Sequence, residues 1–314
     1  MTKTRIIIAG IGGVGGYFGG LLAKQYFNNN EIEICFFARG QHLLEIQKNG
    51  LKVINGKKEF IANPKIATDN PTEIGIADLI VVCTKSYDIE TVIQQLKPCI
   101  NQNTFILPLL NGVDSKEKVQ EILPKNTILD GCVYIVSRLK QAGVIENIGN
   151  IQTLYFGLDN FTSKQLEHFE YIFKSANIEV TLSQNISSII WEKFIFISPT
   201  ATATTYFDKS IGEVVTENHI EIITDLINEV KQIAKAKNIV IAENIMEMTI
   251  NKLKALPFDT TSSMHTDFKS KKQFNELQSL TEYVIDQGKK YKIETPTYIK
   301  TYNKLKLKSS KKNG

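Results

Sequence analysis

The chain has 314 residues, 42% hydrophobic and 22% charged, with a formal net charge of +4. That is an ordinary soluble globular composition with the length for two domains. Membrane association is not expected: the apolar run near the N-terminus is too short to cross a bilayer and ends in glycines. No charged stretch followed by an apolar core and a small-residue cleavage site opens the chain, so a cytoplasmic protein is expected.

In chain order, residues 5–9 predict a strand and 15–27 the helix after it. The joint between them is Gly10-Ile11-Gly12-Gly13-Val14-Gly15, which fits G-x-G-x-x-G in strand–turn–helix context. Gly10 allows a tight turn, Gly12 lets the backbone approach a pyrophosphate, and Gly15 lets helix and strand pack closely. The phosphates then meet free N–H groups at a helix N-terminus, where the dipole favours negative charge. Residues 31–38 hold a second strand, followed at once by Arg39 and Gly40. A helix over 41–49 closes at Gly50, and 51–61 reads as a hairpin turning at Asn55-Gly56. Asp78 to Thr84 is almost wholly apolar, as suits a parallel strand covered on both faces. A helix runs to about Leu96, and a strand at 104–107 leads to Asn111-Gly112. Further strands are expected over 127–137, 144–148, 152–157 and 178–182, with a helix over 162–175. This alternation predicts an α/β fold with a doubly wound Rossmann sheet. After Leu182 the pattern is helical, over 186–206, 216–238, 242–255 and 273–289. The division expected is a dinucleotide-binding domain over 1–184 and an all-helical domain over 185–314. Lys304, Lys306, Lys308, Lys311 and Lys312 read as a frayed, solvated terminus, and no nucleic-acid partner is expected.

Four cysteines, Cys35, Cys83, Cys99 and Cys132, form no C-x-x-C pair and read as reduced thiols. Four dispersed histidines give no metal-ligand spacing, so no metal is expected. Arginine is scarce, present only as Arg5, Arg39 and Arg138. Arg39 follows the second strand, where a dinucleotide fold meets the adenosine ribose. An acid there holds a free 2′-OH and an arginine accommodates a 2′-phosphate, so NADP is expected over NAD. Lys85 and Asn111 follow two other strands at their carboxyl ends, the edge at which open α/β sheets bind ligands. Lys193 lies on a helix apolar almost all round. A lysine there either faces a cleft, where burial suits it to proton transfer near neutral pH, or snorkels to the surface beside Glu192.

Over nearly its whole length the sequence resembles the ketopantoate reductases (2-dehydropantoate 2-reductases). The likeness is carried by the glycine loop, Ala38-Arg39-Gly40-Gln41-His42, Gly50-Leu51, Cys83-Thr84-Lys85 and Leu110-Asn111-Gly112-Val113. It continues in Trp191-Glu192-Lys193-Phe194, Thr261-Ser262-Ser263-Met264-His265-Thr266-Asp267 and Asn275-Glu276-Leu277. The resemblance implies NADPH-dependent reduction of ketopantoate to pantoate in pantothenate and coenzyme A synthesis. It implies Lys193 as general acid and Glu276 as an aid to binding and catalysis. Lys85 and Asn111 are then at both nicotinamide and substrate, and Ser263 at the substrate. The partner implied is a small 2-oxo acid, and the protein a monomer or homodimer.

The sequence also departs from the pattern. Family members commonly carry asparagines four and eight residues after the catalytic lysine and another later; here these are Ile197, Ala201 and Ile211. Ser198, Thr200 and Thr204 are candidate replacements, with Pro199 expected to distort the helix between them. Asn275 and Glu276 compete for one place, and spacing to Pro296 favours Glu276. Two alternatives follow: reduction of another 2-keto compound, or NADP binding without catalysis.

Overall fold

The computed structural model describes residues 3–149, 151–216, 219–272 and 275–310. The chain divides into two compact units, Met1–Leu110 with Ser115–Ile186, and Asn111–Asp114 with Ser187–Gly314.

Unit 1 contains, in order, β1 (Thr4–Ala9), α1 (Gly13–Gln25), β2 (Ile32–Phe37), α2 (Gly40–Asn49), β3 (Leu51–Asn55), β4 (Lys58–Ala62), β5 (Ile66–Thr68) and β6 (Leu79–Val82). It continues with α3 (Ile89–Gln95), β7 (Phe105–Pro108), α4 (Ser115–Ile122), β8 (Asp130–Tyr134), β9 (Ser137–Gln141), β10 (Val144–Asn147), β11 (Thr153–Gly157), α5 (Lys164–Ser175) and β12 (Glu179–Ser183). The central sheet is wholly parallel, in the order β5-β2-β1-β6-β7. The two-residue period of β1 divides its apolar run between two cores. Ile6 and Ile8 enter one with α1 and α5; Ile7 and Ala9 enter the other with α3 and Val119 of α4. A strand buried on both faces must be apolar throughout, which is why the run reads without alternation.

Two smaller sheets complete the unit, in the orders β4-β3-β10-β9 and β12-β11-β8. The strand expected over 127–137 is the shorter β8; at the end of that span Ser137 begins β9, which joins a different sheet. The predicted hairpin is β3–β4, with its turn one residue later than expected. Asn55 ends β3, and Gly56 takes the first loop position at φ +60, the place that a II′ turn gives to glycine. The glycines of α1 beyond the motif let it lie against this second sheet. A Cβ on Gly16 would stand 2.5 Å from Ile145 Cγ1, and one on Gly20 2.7 Å from Val53 Cγ2.

Unit 2 is helical: α6 (Ile186–Phe207, beginning at the last residue of unit 1), α7 (Ile211–Thr216), α8 (Ile220–Ala236), α9 (Ile245–Lys254), α10 (Ser263–Lys269), a π-helical turn over Gln278–Glu282, α11 (Tyr283–Tyr291) and α12 (Pro296–Ser310). In α8, Ile223, Leu226, Ile227, Val230 and Ile233 form the buried stripe that their spacing predicts. Glu229, also buried on α8, accepts the Thr297 and Tyr298 N–H groups at 2.8 and 3.0 Å. It thereby caps the first turn of α12. Burial pushes its carboxyl up from the ordinary range, against the lowering effect of those hydrogen bonds.

Several expectations need correction. The helix expected over 216–238 is α7 and α8, with 217–218 outside the described residues. In the helix expected over 273–289, residues 273–274 lie outside the described residues and Asn275 makes a turn. The basic tail is not frayed up to Ser310: Lys304 and Lys306 lie on α12 over the Tyr206 and Tyr302 rings, and Lys311 and Lys312 lie outside the described residues. Pro199 stands inside α6, as its place in the sequence led one to expect, and the helix continues past it.

Candidate active site

In unit 1 the parallel register aligns the strand ends. Ala9 lies opposite both Phe37 and Val82, and Val82 opposite Pro108. The glycine loop, Arg39 and Lys85 therefore all leave the sheet at one edge. Gly10 turns off β1 at φ +91, a conformation open to glycine. A Cβ there would press on Thr84 Cγ2 at 2.8 Å. Gly15 packs α1 onto the loop, since a Cβ would stand 2.1 Å from the Gly10 carbonyl oxygen and 2.8 Å from Cys83 Cβ. Burial pushes the Cys83 thiol up, so it serves this contact as a packed thiol and not as a thiolate.

Gly12 differs. It is the N-cap of α1, and a Cβ there would meet nothing within 4 Å. Its bare face is open, as close approach of a pyrophosphate requires. The N–H groups from Gly12 to Gly15 are those that a helix start leaves without intrahelical partners, and the first turn of α1 carries no acid. Ile11 and Val14 contribute backbone, with their side chains packed into or against the core. Gly13 is pressed on β9, where a Cβ would stand 2.2 Å from the Ser137 carbonyl oxygen. These features fit a dinucleotide. Arg39, two residues past β2, has a side chain 75% exposed and a long 3.5 Å contact with Asp88. Its guanidinium is available to a phosphate. Lys85 is exposed and precedes the 3-10 turn Ser86–Asp88.

Beyond β7 the chain passes through Leu109 and Leu110 to Asn111–Asp114, which belong with unit 2. There Lys193, on α6 and half-buried, donates from Nζ to Asn111 Oδ1 at 3.1 Å. Asp114, 4% exposed, accepts from Ser279 Oγ at 2.9 Å. The Asn111–Asp114 segment is thus tied to α6 at one end and to the π-helical turn at the other. Gly112 makes this possible: it stands at φ +98, where a Cβ would come 3.0 Å from Asp114 Oδ1. Three residues before Ser279, Glu276 is 3% exposed and accepts from Ser263 Oγ at 3.1 Å. Asn275 instead accepts the Leu277 N–H at 3.0 Å, a local turn. Lys193 with Asn111, and Ser263 with Glu276, are therefore brought together in pairs. Asp114 and Ser279 escaped the sequence reading; their one local sign is the polar residue two places after Asn111-Gly112.

The hydroxyls on α6 are committed elsewhere. Ser198 Oγ donates to the Leu280 carbonyl at 2.6 Å and meets the Tyr298 hydroxyl at 2.6 Å. Thr200 bonds back to the Phe196 carbonyl, and Thr204 to the Thr200 carbonyl and Ser262 Oγ. All three are buried, so they lock the helical core and do not replace the family's asparagines. Ala201 and Ile211 are buried in the same core, and Ile197 packs against it.

Among the described residues, no group of three or more His, Cys, Asp or Glu is placed to hold a metal, and no helix is long and apolar enough to cross a membrane.

Comparison with known proteins gives the family and the fold. The profile of the family described as "Ketopantoate reductase PanE/ApbA" matches residues 6–160, and that of its C-terminal region matches 185–309. The uncharacterized oxidoreductase YkpB of Bacillus subtilis is 26% identical over 310 residues, covering 98% of this chain and all of that protein. The crystal structure of 2-dehydropantoate 2-reductase from Porphyromonas gingivalis superposes with a TM-score of 0.85 at 33% identity, covering 97% of this chain and 99% of that one. A ternary structure of D-mandelate dehydrogenase with NADH and anilino(oxo)acetate shares the fold, with a TM-score of 0.83 at 22% identity over 99% of this chain and all of that one.

Proposed function

The chain belongs to the ketopantoate reductase family, a family of oxidoreductases, and we propose that it reduces a small 2-oxo acid to the 2-hydroxy acid with NADPH. The observation that carries this reading is the Lys193–Asn111 pair, a half-buried amino group on a core helix, held by a side-chain amide oxygen.

In this reading the backbone of Gly10–Gly15 holds the pyrophosphate, with Ile11, Gly13 and Val14 contributing main chain. Arg39 takes the 2′-phosphate. NADPH held there would supply hydride chemistry at the substrate's C2. Lys193 gives a proton from Nζ to the carbonyl oxygen as negative charge builds on it, so the product leaves as an alcohol. Asn111 orients that ammonium and, with Lys85, lines the nicotinamide and substrate positions. Glu276 and Ser263, already bonded to each other, grip the substrate's polar groups. Ketopantoate is the substrate proposed first, with pantothenate synthesis as the setting.

One observation favours a second reading. Ala201 and Ile211 belong to the apolar core and Ile197 packs against it, so the polar contacts usual in the family are reduced. A site with fewer hydrogen-bonding partners discriminates differently among 2-oxo acids. The fold neighbour that holds NADH and anilino(oxo)acetate belongs to this line of argument, as does NADH as the alternative cofactor.

The test is NADPH oxidation followed by absorbance with ketopantoate and a panel of aliphatic and aryl 2-oxo acids. Turnover of ketopantoate above the rest supports the first reading, and preference for another 2-oxo acid the second. NADPH binding with no turnover of any of them refutes the enzymatic reading.

A further inference from the structure

The glycine loop needs something to hold it, because its glycines cannot use side chains to do so. The third residue of α2 supplies this. His42 Nδ1 lies 2.8 Å from the Gly143 backbone nitrogen, which can only donate, so Nδ1 carries no proton. Nε2 therefore carries it and donates to the Ile11 carbonyl at 2.7 Å. Ile11 sits between Gly10 and Gly12, in the middle of the motif. Gly143 lies in the β9–β10 connection at φ +74, and its own carbonyl accepts the Lys52 N–H of β3 at 2.9 Å. The same hairpin meets the loop a second time, at Ser137 against Gly13. The second sheet thus braces the loop at two points, one of them through the imidazole.

We propose that His42 is a positioning residue for cofactor binding, which aims the glycine-loop N–H groups by fixing the Ile11 carbonyl to the β9–β10 turn. The inference rests on the reading that this loop holds NADP(H). It follows that only the neutral imidazole serves, since an imidazolium would set one N–H against another. Burial lowers the His42 pKa from the ordinary histidine value, in keeping with that need. The glycine loop brings no charged group to it. Its own helix brings Glu45. The hairpin brings Arg138, Lys140 and Glu146, which pair among themselves at 2.6 Å, and β3 brings Lys52, which pairs with Glu59.

The experiment is NADPH titration by fluorescence on the full chain between pH 5.5 and 8, with His42→Ala and His42→Gln, alongside kcat and KM for NADPH. The glutamine amide restores a donor near the Nε2 position. His42→Ala is expected to weaken NADPH about tenfold at pH 7.5, the scale of a buried carbonyl left without its donor. KM rises while kcat at saturation holds, and His42→Gln recovers most of the loss. Wild-type affinity falls as pH drops through the lowered His42 pKa, which lies below the ordinary value of about 6.5, and falls more steeply than that of His42→Gln, in which the titration of the 2′-phosphate remains. If the wild type binds NADPH and His42→Ala binds it equally well, the inference is wrong and the cofactor reading stands. Equal losses in the two variants with unchanged pH profiles also overturn it. If the wild type binds neither NADPH nor NADH, the cofactor reading fails and takes the inference with it.

Discussion

Replacing Gly15 with alanine separates the packing role of the glycine loop from its binding role. Alanine is the better helix former by about 1 kcal/mol, so propensity alone predicts stabilisation. The structure predicts the reverse. The new Cβ would stand 2.1 Å from the Gly10 carbonyl oxygen, against about 3.3 Å for the shortest comfortable carbon–oxygen contact. The obstacle is backbone at a φ +91 turn, with Cys83 Cβ behind it at 2.8 Å, so α1 must retreat by about 1 Å. Overpacking of this kind costs about 1–3 kcal/mol. Taking the upper end and offsetting the propensity gain leaves a loss of about 2 kcal/mol, or about 5 °C in Tm for a body of this size. A displacement of about 1 Å also misaims the loop, so NADPH binding falls by about tenfold or more. Gly12→Ala is the control. Its Cβ meets nothing, so stability changes by no more than about 1 kcal/mol, the scale of an N-cap exchange, while NADPH weakens about tenfold. Thermal melting and NADPH titration of both variants decide it. If Gly15→Ala melts and binds as wild type, or Gly12→Ala loses as much stability as Gly15→Ala, the reasoning is refuted.

Two further outcomes are expected. Arg39→Ala should weaken NADPH about tenfold or more while leaving NADH nearly unchanged, the difference being a charge-assisted contact to the 2′-phosphate; equal losses in parallel titrations would remove Arg39 from that role. Glu33 accepts from Lys3 Nζ at 2.9 Å and from Arg5 Nε and Nη2 at 3.2 and 2.8 Å, and these bonds hold its carboxyl below the ordinary range. Its folded pKa is depressed, so its contribution is full above the unfolded value near ~4.3 and is lost as pH falls through the folded value. Glu33→Gln should cost about 1–3 kcal/mol at pH 7, with the gap to wild type closing in acid; a gap that does not change with pH in melts from pH 7 to 3 contradicts this.

The legible parts of the chain were the local ones. The β1–loop–α1 joint, the apolar β6 run and the α8 stripe each declare themselves within some twenty residues. Helices α10 and α12 were missed because their apolar positions are few and, in α12, interleaved with lysines; α12 begins at Pro296 under a cap supplied by Glu229 from 68 residues away. The division of the strands among three sheets depends on β3 pairing with β10 across some ninety residues, which no local pattern shows. At the candidate site, residue types were readable but partners were not. Ser279 finds Asp114 at a separation of 165 residues, and the α6 hydroxyls looked like substrate groups until their buried acceptors were seen.

The central claim is that Lys193 is the proton donor of a 2-oxo acid reductase. Its most direct measurement is kcat for the best 2-oxo acid in Lys193→Ala, with the NADPH Kd measured on the same protein. Loss of a positioned acid should lower kcat about 10²–10⁴-fold and leave the NADPH Kd unchanged. Full turnover in Lys193→Ala would contradict it.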